Sequence, residues 1–233
     1  MRKIIGLCFL TATLFASSAR AQSIFIEKGD PNAMDVMAGV RTTKDASLGG
    51  GVSGGYSYRG VFDVGAEVIG SQYSAGTNNK LKGISVAPFV TWHALRHDVD
   101  ELPVSISGTL AVERIVYTGN GPVANPEGWG LVLGPSVYRR MEFGTKFVFV
   151  PEVLVAYDLS YNRYYSRAGD QTSGNTAGSG TGPGYSTEAK HNVRVLVRPN
   201  FLFKMGKTNL VIVPYGGSQG LSFLAGVNVG AIF

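Results

Sequence analysis

The side chains able to do chemistry are few and scattered. His93 and His97 flank a turn that also holds Asp98, Asp100 and Glu101. Two histidines four residues apart bind a metal when a helix brings them to one face. This stretch has no helical pattern, so it reads as a solvated polar turn, with a divalent-ion site as the lesser alternative. His191 opens one predicted strand and Asp158 lies near the outer end of another, a single loose His-plus-acid pair. Gly51-Val52-Ser53-Gly54-Gly55 spells G-x-S-x-G. A nucleophile elbow needs a strand-to-helix turn, whereas this motif lies inside an alternating stretch. Gly178-Ser179-Gly180-Thr181-Gly182 is loop composition with no strand and helix to frame a phosphate. The expectation is a chain that is not an enzyme and carries neither metal nor cofactor.

A richer set of charges emerges from the pattern of the chain. In Phe62-Asp63-Val64-Gly65-Ala66-Glu67-Val68 the even positions are apolar and the odd ones polar or small. Val104, Ile106, Leu110 and Val112 alternate with Ser105, Ser107, Thr109 and Glu113. Val193, Val195, Val197, Phe201 and Phe203 alternate with Asn192, Arg194, Arg198 and Asn200. Successive side chains of a strand point to opposite faces, so these are strands with one apolar and one polar face. Ten such segments are predicted: 34–43, 47–58, 61–73, 82–93, 104–117, 129–139, 144–160, 191–204, 208–216 and 221–233. Ordinary strands run to about five or six residues, whereas a tilted strand needs about 9–11 to cross a bilayer. The lengths therefore predict a closed antiparallel up-and-down transmembrane β-barrel of ten strands, with eight left open if one pair is misread. An even count is expected of bacterial barrels.

The ends of the chain agree. Met1, Arg2 and Lys3 precede an apolar run from Ile4 to Phe15, and Ala19-Arg20-Ala21 fits a cleavage site. Residues 1–21 read as a signal peptide and 22–233 as the barrel domain. Cys8 is the only cysteine and leaves with the signal. Removing Arg2, Lys3 and Arg20 leaves 18 basic against 16 acidic residues, about +2 instead of +5. The basic balance of the whole chain is thus partly a targeting feature and gives no reason to expect nucleic acid as a partner.

Topology assigns the connections. With the N-terminus periplasmic, the outer loops fall at 44–46, 74–81, 118–128, 161–190 and 217–220. The periplasmic turns fall at 59–60, 94–103, 140–143 and 205–207. Loop 161–190 carries Tyr161, Arg163, Tyr164, Tyr165 and Arg167, a mixture suited to an extracellular ligand of unknown identity or to lipid headgroups. The polar faces carry Arg41, Asp63, Glu67, Glu113, Glu152, Arg194 and Arg198. These would be costly against lipid and are expected inside, as a paired network or as the lining of a selective pore. Strand register is expected to place Glu152 opposite Arg198 and near Arg194. The apolar faces carry Tyr56, Tyr58, Trp92, Trp129, Tyr157 and Phe203 near strand ends, as aromatic girdles would. Pro88, Pro135, Pro151, Pro199 and Pro214 lie within predicted strands, and each removes a ladder donor. Bulges or broken pairing near the rim are expected there.

The chain resembles the small bacterial outer-membrane β-barrel family of OmpX-like and OmpA-type domains. The resemblance is carried by the signal ending Ala19-Arg20-Ala21, by Gly134-Pro135-Ser136-Val137-Tyr138 running into a turn, and by the last segment, Leu221 to Phe233. It implies an integral outer-membrane location with membrane lipid around the barrel. It also implies that Phe233, with Phe223, Ala225, Val227 and Val229, forms the signal read by the barrel-assembly machinery.

Overall fold

The computed structural model describes residues 22–26, 32–43, 46–74, 80–97, 100–118, 123–166, 184–220 and 222–233. A single helical turn, α1 (Gln22–Phe25), precedes eleven strands. They are β1 (Ala33–Thr43), β2 (Ala46–Tyr58), β3 (Phe62–Ser74), β4 (Lys80–Leu95), β5 (Ser105–Thr118), β6 (Val123–Tyr138), β7 (Met141–Phe143), β8 (Phe147–Ser166), β9 (Gly184–Met205), β10 (Thr208–Gln219) and β11 (Ser222–Ile232).

Ten of these strands close into a ring. Each wall strand pairs antiparallel with its neighbours in sequence, β6 pairs with β8, and β1 pairs with β11. Strand β7 is a three-residue continuation of the line of β6 along the foot of β8, and it pairs only there. The eight-strand alternative is thereby removed. Asp35 faces Ile232 and Val40 faces Val227 at the closing seam. Tight turns set the register at the lower end: Arg59 and Gly60 both have positive φ, and the Val61 amide donates to the Tyr58 carbonyl at 2.9 Å. That is the turn geometry whose twist suits a two-residue hairpin.

The segment boundaries differ from expectation mainly at the opposite end. Strands β8 and β9 stay paired as far as Ser166 opposite Gly184. Tyr161, Arg163, Tyr164 and Tyr165 therefore belong to strand β8, not to a loop, with Ala189, Thr187, Ser186 and Tyr185 as their Cα partners. Arg167 lies outside the described residues, as does most of 161–190. Backbone pairing continues as long as two chains stay in register, so polar composition alone did not mark where the ladder ends. Likewise β6 begins at Val123, inside the expected loop 118–128, and the expected turn 140–143 is largely strand β7.

Side chains alternate across the wall as the sequence pattern requires. Val52, Val64, Val68, Val86, Leu110, Val112, Leu133, Val155 and Val197 are exposed on the outer face. Asp63, Glu67, Thr91, Ser107, Thr109, Ser136, Glu152 and Arg198 are buried on the inner one. The outer face is thus the apolar one, unlike the wetter exterior of a water-soluble barrel. Tyr56, Tyr58, Phe62, Trp92 and Phe203 stand on the outer face toward the lower end, while Trp129, Tyr157 and Tyr161 do so toward the upper end. Phe62 stacks on Trp92 with centroids 6.4 Å apart.

Of the bulges or broken pairing expected at the prolines, the structure shows broken pairing. The register shifts lie at Ala46/Leu48, His93/Leu95 and Ala124/Glu127; none is at the five prolines named above, and the last spans Pro126. Instead the ladder is interrupted without a shift. Pairing of β4 with β5 skips from Val86–Arg114 to Phe89–Ala111, beside Pro88. That of β6 with β8 skips from Leu133–Tyr157 to Ser136–Leu154, beside Pro135. That of β9 with β10 skips between Phe201–Ile212 and Val197–Gly216, where Pro199 and Pro214 both lie. Several of these gaps sit in mid-wall instead of at the rim. A missing N–H removes a bond but does not insert a residue, so register survives.

The outward face predicts its own test. Val112→Arg, near the middle of β5, should destabilise the barrel in lipid vesicles by about 2–4 kcal/mol, measured by urea unfolding.

Candidate functional site

The one place where polar side chains converge is the lumen. The wall positions them by period two: odd residues of β1–β5 and β10, and even residues of β6, β8, β9 and β11, point inward. What fills this space is largely apolar. Near the lower end Met37, Tyr138, Val148, Val150, Leu202, Val211, Val213 and Ile232 form a buried cluster. Ile24 and Phe25, from the segment before the first strand, are inserted into it and are buried. Higher up, Phe89, Ala111, Val132, Leu154, Ala156, Leu196, Tyr215 and Leu224 form a second buried cluster. Gly226 lets the Tyr215 ring lie flat on β11, since a Cβ there would strike the tyrosine hydroxyl.

The inserted segment is latched by Arg96. This side chain is 2% exposed. Its Nη1 donates to the Gly60 carbonyl at 2.6 Å, and its Nη2 donates to the Ile26 carbonyl. The turn carrying Arg96 is itself tied down. Asp100 Oδ2 accepts the Arg96 amide at 2.7 Å, and Ser105 Oγ accepts the His97 amide at 3.0 Å.

The expected charges all lie on inward-facing positions of the wall. Glu152 and Arg198 do meet, with Oε2 3.5 Å from Nη1 and both side chains almost wholly buried. Asn200 Nδ2 donates to the Val150 carbonyl at 2.8 Å beside them. Arg194 is engaged elsewhere, by Asp158, which also accepts from Gln219 Nε2. Arg41 and Glu67 lie, with Arg194 and Arg198, in the electrostatic surroundings of Tyr215. The Glu113 side chain lies over Gly130 on the next strand. Asp63 belongs to a separate buried group, described next.

One reading of the histidines is corrected. His93 is not part of a solvated turn: it is 3% exposed on the inner face of β4. Its Nδ1 shares a hydrogen bond with Tyr138 Oη at 2.8 Å and its Nε2 with Asp63 Oδ2 at 3.1 Å. Thr91 with Thr109 and Ser107 with Ser136 continue this polar half of the wall. Asp98 lies outside the described residues. His191 and Asp158 do not meet at all. Asp158 points into the lumen, whereas His191 is on the outer face, bonded to the hydroxyl of Tyr157. A register offset of one residue, with Asp158 opposite Asn192, puts the pair on opposite sides of the wall. Ser53 is buried within β2, with no helix after it. Gly178–Gly182 lies outside the described residues. Among the described residues no group of three or more His, Cys, Asp or Glu side chains is placed to hold a metal.

The terminal strand carries Phe223, Val229 and Phe233 exposed on the outer face, with Val227 between them on the same register. Leu221 lies outside the described residues.

No family model and no curated protein matches the chain. Among solved structures, it is similar to the β-domain of the Bordetella autotransporter BrkA, at 14% identity and a TM-score of 0.47, over 88% of this chain and 99% of that one. It is also similar to LpxR from Salmonella typhimurium, at 7% identity and a TM-score of 0.43, over 86% and 99%. A third likeness is to the outer-membrane protease OmpT from Escherichia coli, at 7% identity and a TM-score of 0.41, over 91% and 98%. The closed barrel rests on the strand pairing, not on these likenesses, and they assign neither activity nor ligand.

Two outcomes follow. Arg198→Leu strands a buried carboxylate and should cost about 3–5 kcal/mol, whereas Glu152→Leu together with Arg198→Leu should cost clearly less; a double-mutant unfolding cycle reads the difference. At the lower rim, Lys204 Nζ donates to Glu142 Oε1 at 2.9 Å, and this bond, with Arg140 nearby, holds the Glu142 carboxyl below its ordinary value of 4.5. A depressed folded value gives stability that is present above the unfolded value and lost as pH falls through the folded one. Glu142→Gln should therefore lower stability modestly at neutral pH, the pair being half exposed, and flatten the loss as pH falls below about 4.5, wild type and variant converging at acid pH.

Proposed function

We propose that the chain is an integral outer-membrane β-barrel with a filled lumen, serving a structural or surface-interaction role through its outer end and performing neither transport nor catalysis. The observation that carries this reading is the packing of the lumen. Two apolar clusters and the inserted Ile24 and Phe25 occupy the path that a pore would need to keep open. The outward apolar face and aromatic girdles support a membrane location, because so much exposed apolar surface is rare on soluble monomers. The separation of Asp158 from His191 removes the pair best suited to rim catalysis.

Within this reading the first 21 residues are a secretory signal, the barrel is surrounded by outer-membrane lipid, and Phe223, Val227, Val229 and Phe233 are recognised by the assembly machinery. The narrower OmpX-like or OmpA-type resemblance fits less well, since barrels of that type have about eight strands. The outer ends of β8 and β9 extend past the girdle residue Tyr161 and would meet an extracellular ligand. Because the β8–β9 ladder is already closed at Ser166 and Gly184, residues 168–182 are not needed to hold it.

Planar-bilayer recording separates the readings. The intact barrel should give no steady conductance, and removal of residues 22–26 alone should not open one, because the second apolar cluster remains. A steady open channel in the unaltered protein would overturn the filled-lumen reading. Deletion of 168–182 should leave heat-modifiable migration unchanged while removing whatever the outer end binds.

A further inference from the structure

A second feature lies at the opposite end of the barrel from the proposed interaction surface and is independent of it. A cavity of about 480 Å³ opens at the lower mouth, within the size range of small-ligand sites. Its walls have two chemistries. Phe25, Ile26, Leu202, Ile232 and Phe233 supply an apolar interior, and Arg140, Lys204 and Lys207 supply a cationic edge. Glu142 Oε1 accepts from both Arg140 Nη2 at 2.5 Å and Lys204 Nζ at 2.9 Å, so one carboxylate oxygen serves two cations. Lys207, in the β9–β10 turn, has no ion-pair partner among the described residues. Part of the apolar wall is the inserted segment itself, so the site exists only while Phe25 and Ile26 are seated in the barrel.

We propose that this mouth binds an amphiphilic anion: a carboxylate or phosphate head on Lys204 and Lys207, with an acyl tail against Phe25, Leu202 and Ile232. Lys204 and Lys207 remain open to water, so their attraction for an anionic head is modest alone and gains from the apolar surface beside them, which holds the tail. A head without a tail leaves the apolar wall bare, and a tail with a cationic head meets repulsion. Both halves of the ligand are therefore required. A free fatty acid and an anionic phospholipid share this chemistry.

The test uses the full-length barrel in phosphatidylcholine nanodiscs and dodecanoate carrying a diazirine at its far end. Irradiation should label Phe25, Leu202 or Ile232, as mapped by peptide mass spectrometry. Unlabelled dodecanoate should compete, and dodecyltrimethylammonium should not. Lys204→Ala with Lys207→Ala should weaken competition about tenfold or more, the size expected when charge-assisted bonds are lost. Heat-modifiable migration reports whether that variant is folded; should it not fold, Lys207→Glu alone carries the same comparison from an exposed turn. Repeating the labelling in phosphatidylglycerol nanodiscs distinguishes the sources. Protection there identifies a phospholipid as occupant, and undiminished labelling identifies the free carboxylate. Labelling confined to the outer wall, or labelling equally displaced by the cationic amphiphile, would overturn the proposal.

Discussion

Every backbone N–H and C=O in the wall must find a partner within the protein, because lipid offers none. The pairing of β1 with β11 meets that requirement by joining the first strand to the last. Without it, the sheet would expose two edges along its full height. Closure also fixes which side chains face inward. Once the ring is shut, period-two alternation becomes a division between lipid and lumen, and every later property of the molecule follows from that division.

Closure creates a second problem, which the lumen solves by packing. Ten strands enclose more space than their short polar side chains can fill. The lower halves of β8, β9 and β10 answer with apolar residues on both faces: Val148 and Val150, Leu202, Val211 and Val213 point inward beside outward neighbours of the same kind. Such an interior needs an apolar occupant, and Ile24 and Phe25 provide it. Arg96 links that occupant to the β2–β3 turn, so wall, turn and inserted segment are mutually dependent. The buried Asp63–His93–Tyr138 group lies on the polar half of the same region and spans β3, β4 and β6.

How much of this could be read from sequence follows from what each signal encodes. Alternation reports faces, so ten wall strands and the inward placement of Glu152 and Arg198 were legible. Alternation does not report what a lumen contains. The runs Phe147-Val148-Phe149-Val150 and Leu210-Val211-Ile212-Val213 break the polar–apolar pattern, and that break was the available sign of an apolar interior. Arg96 gave no comparable sign, since its partners are backbone carbonyls distant in sequence. His93 was misjudged because its neighbours in sequence are polar and turn-like, whereas its neighbours in space are Asp63 and Tyr138. The ladder beyond Tyr161 was hidden for a similar reason: composition describes solvent preference, not backbone register.

The central claim is that the wall divides lipid from a packed interior, residue by residue. Site-directed spin labelling along 108–116 measures this directly, since Cys8 is the only native cysteine to be removed. The account predicts high oxygen accessibility at 110, 112 and 116, with low accessibility to both oxygen and polar nickel reagents at 109 and 111. Uniform accessibility along the segment, or oxygen maxima at the odd positions, would contradict it.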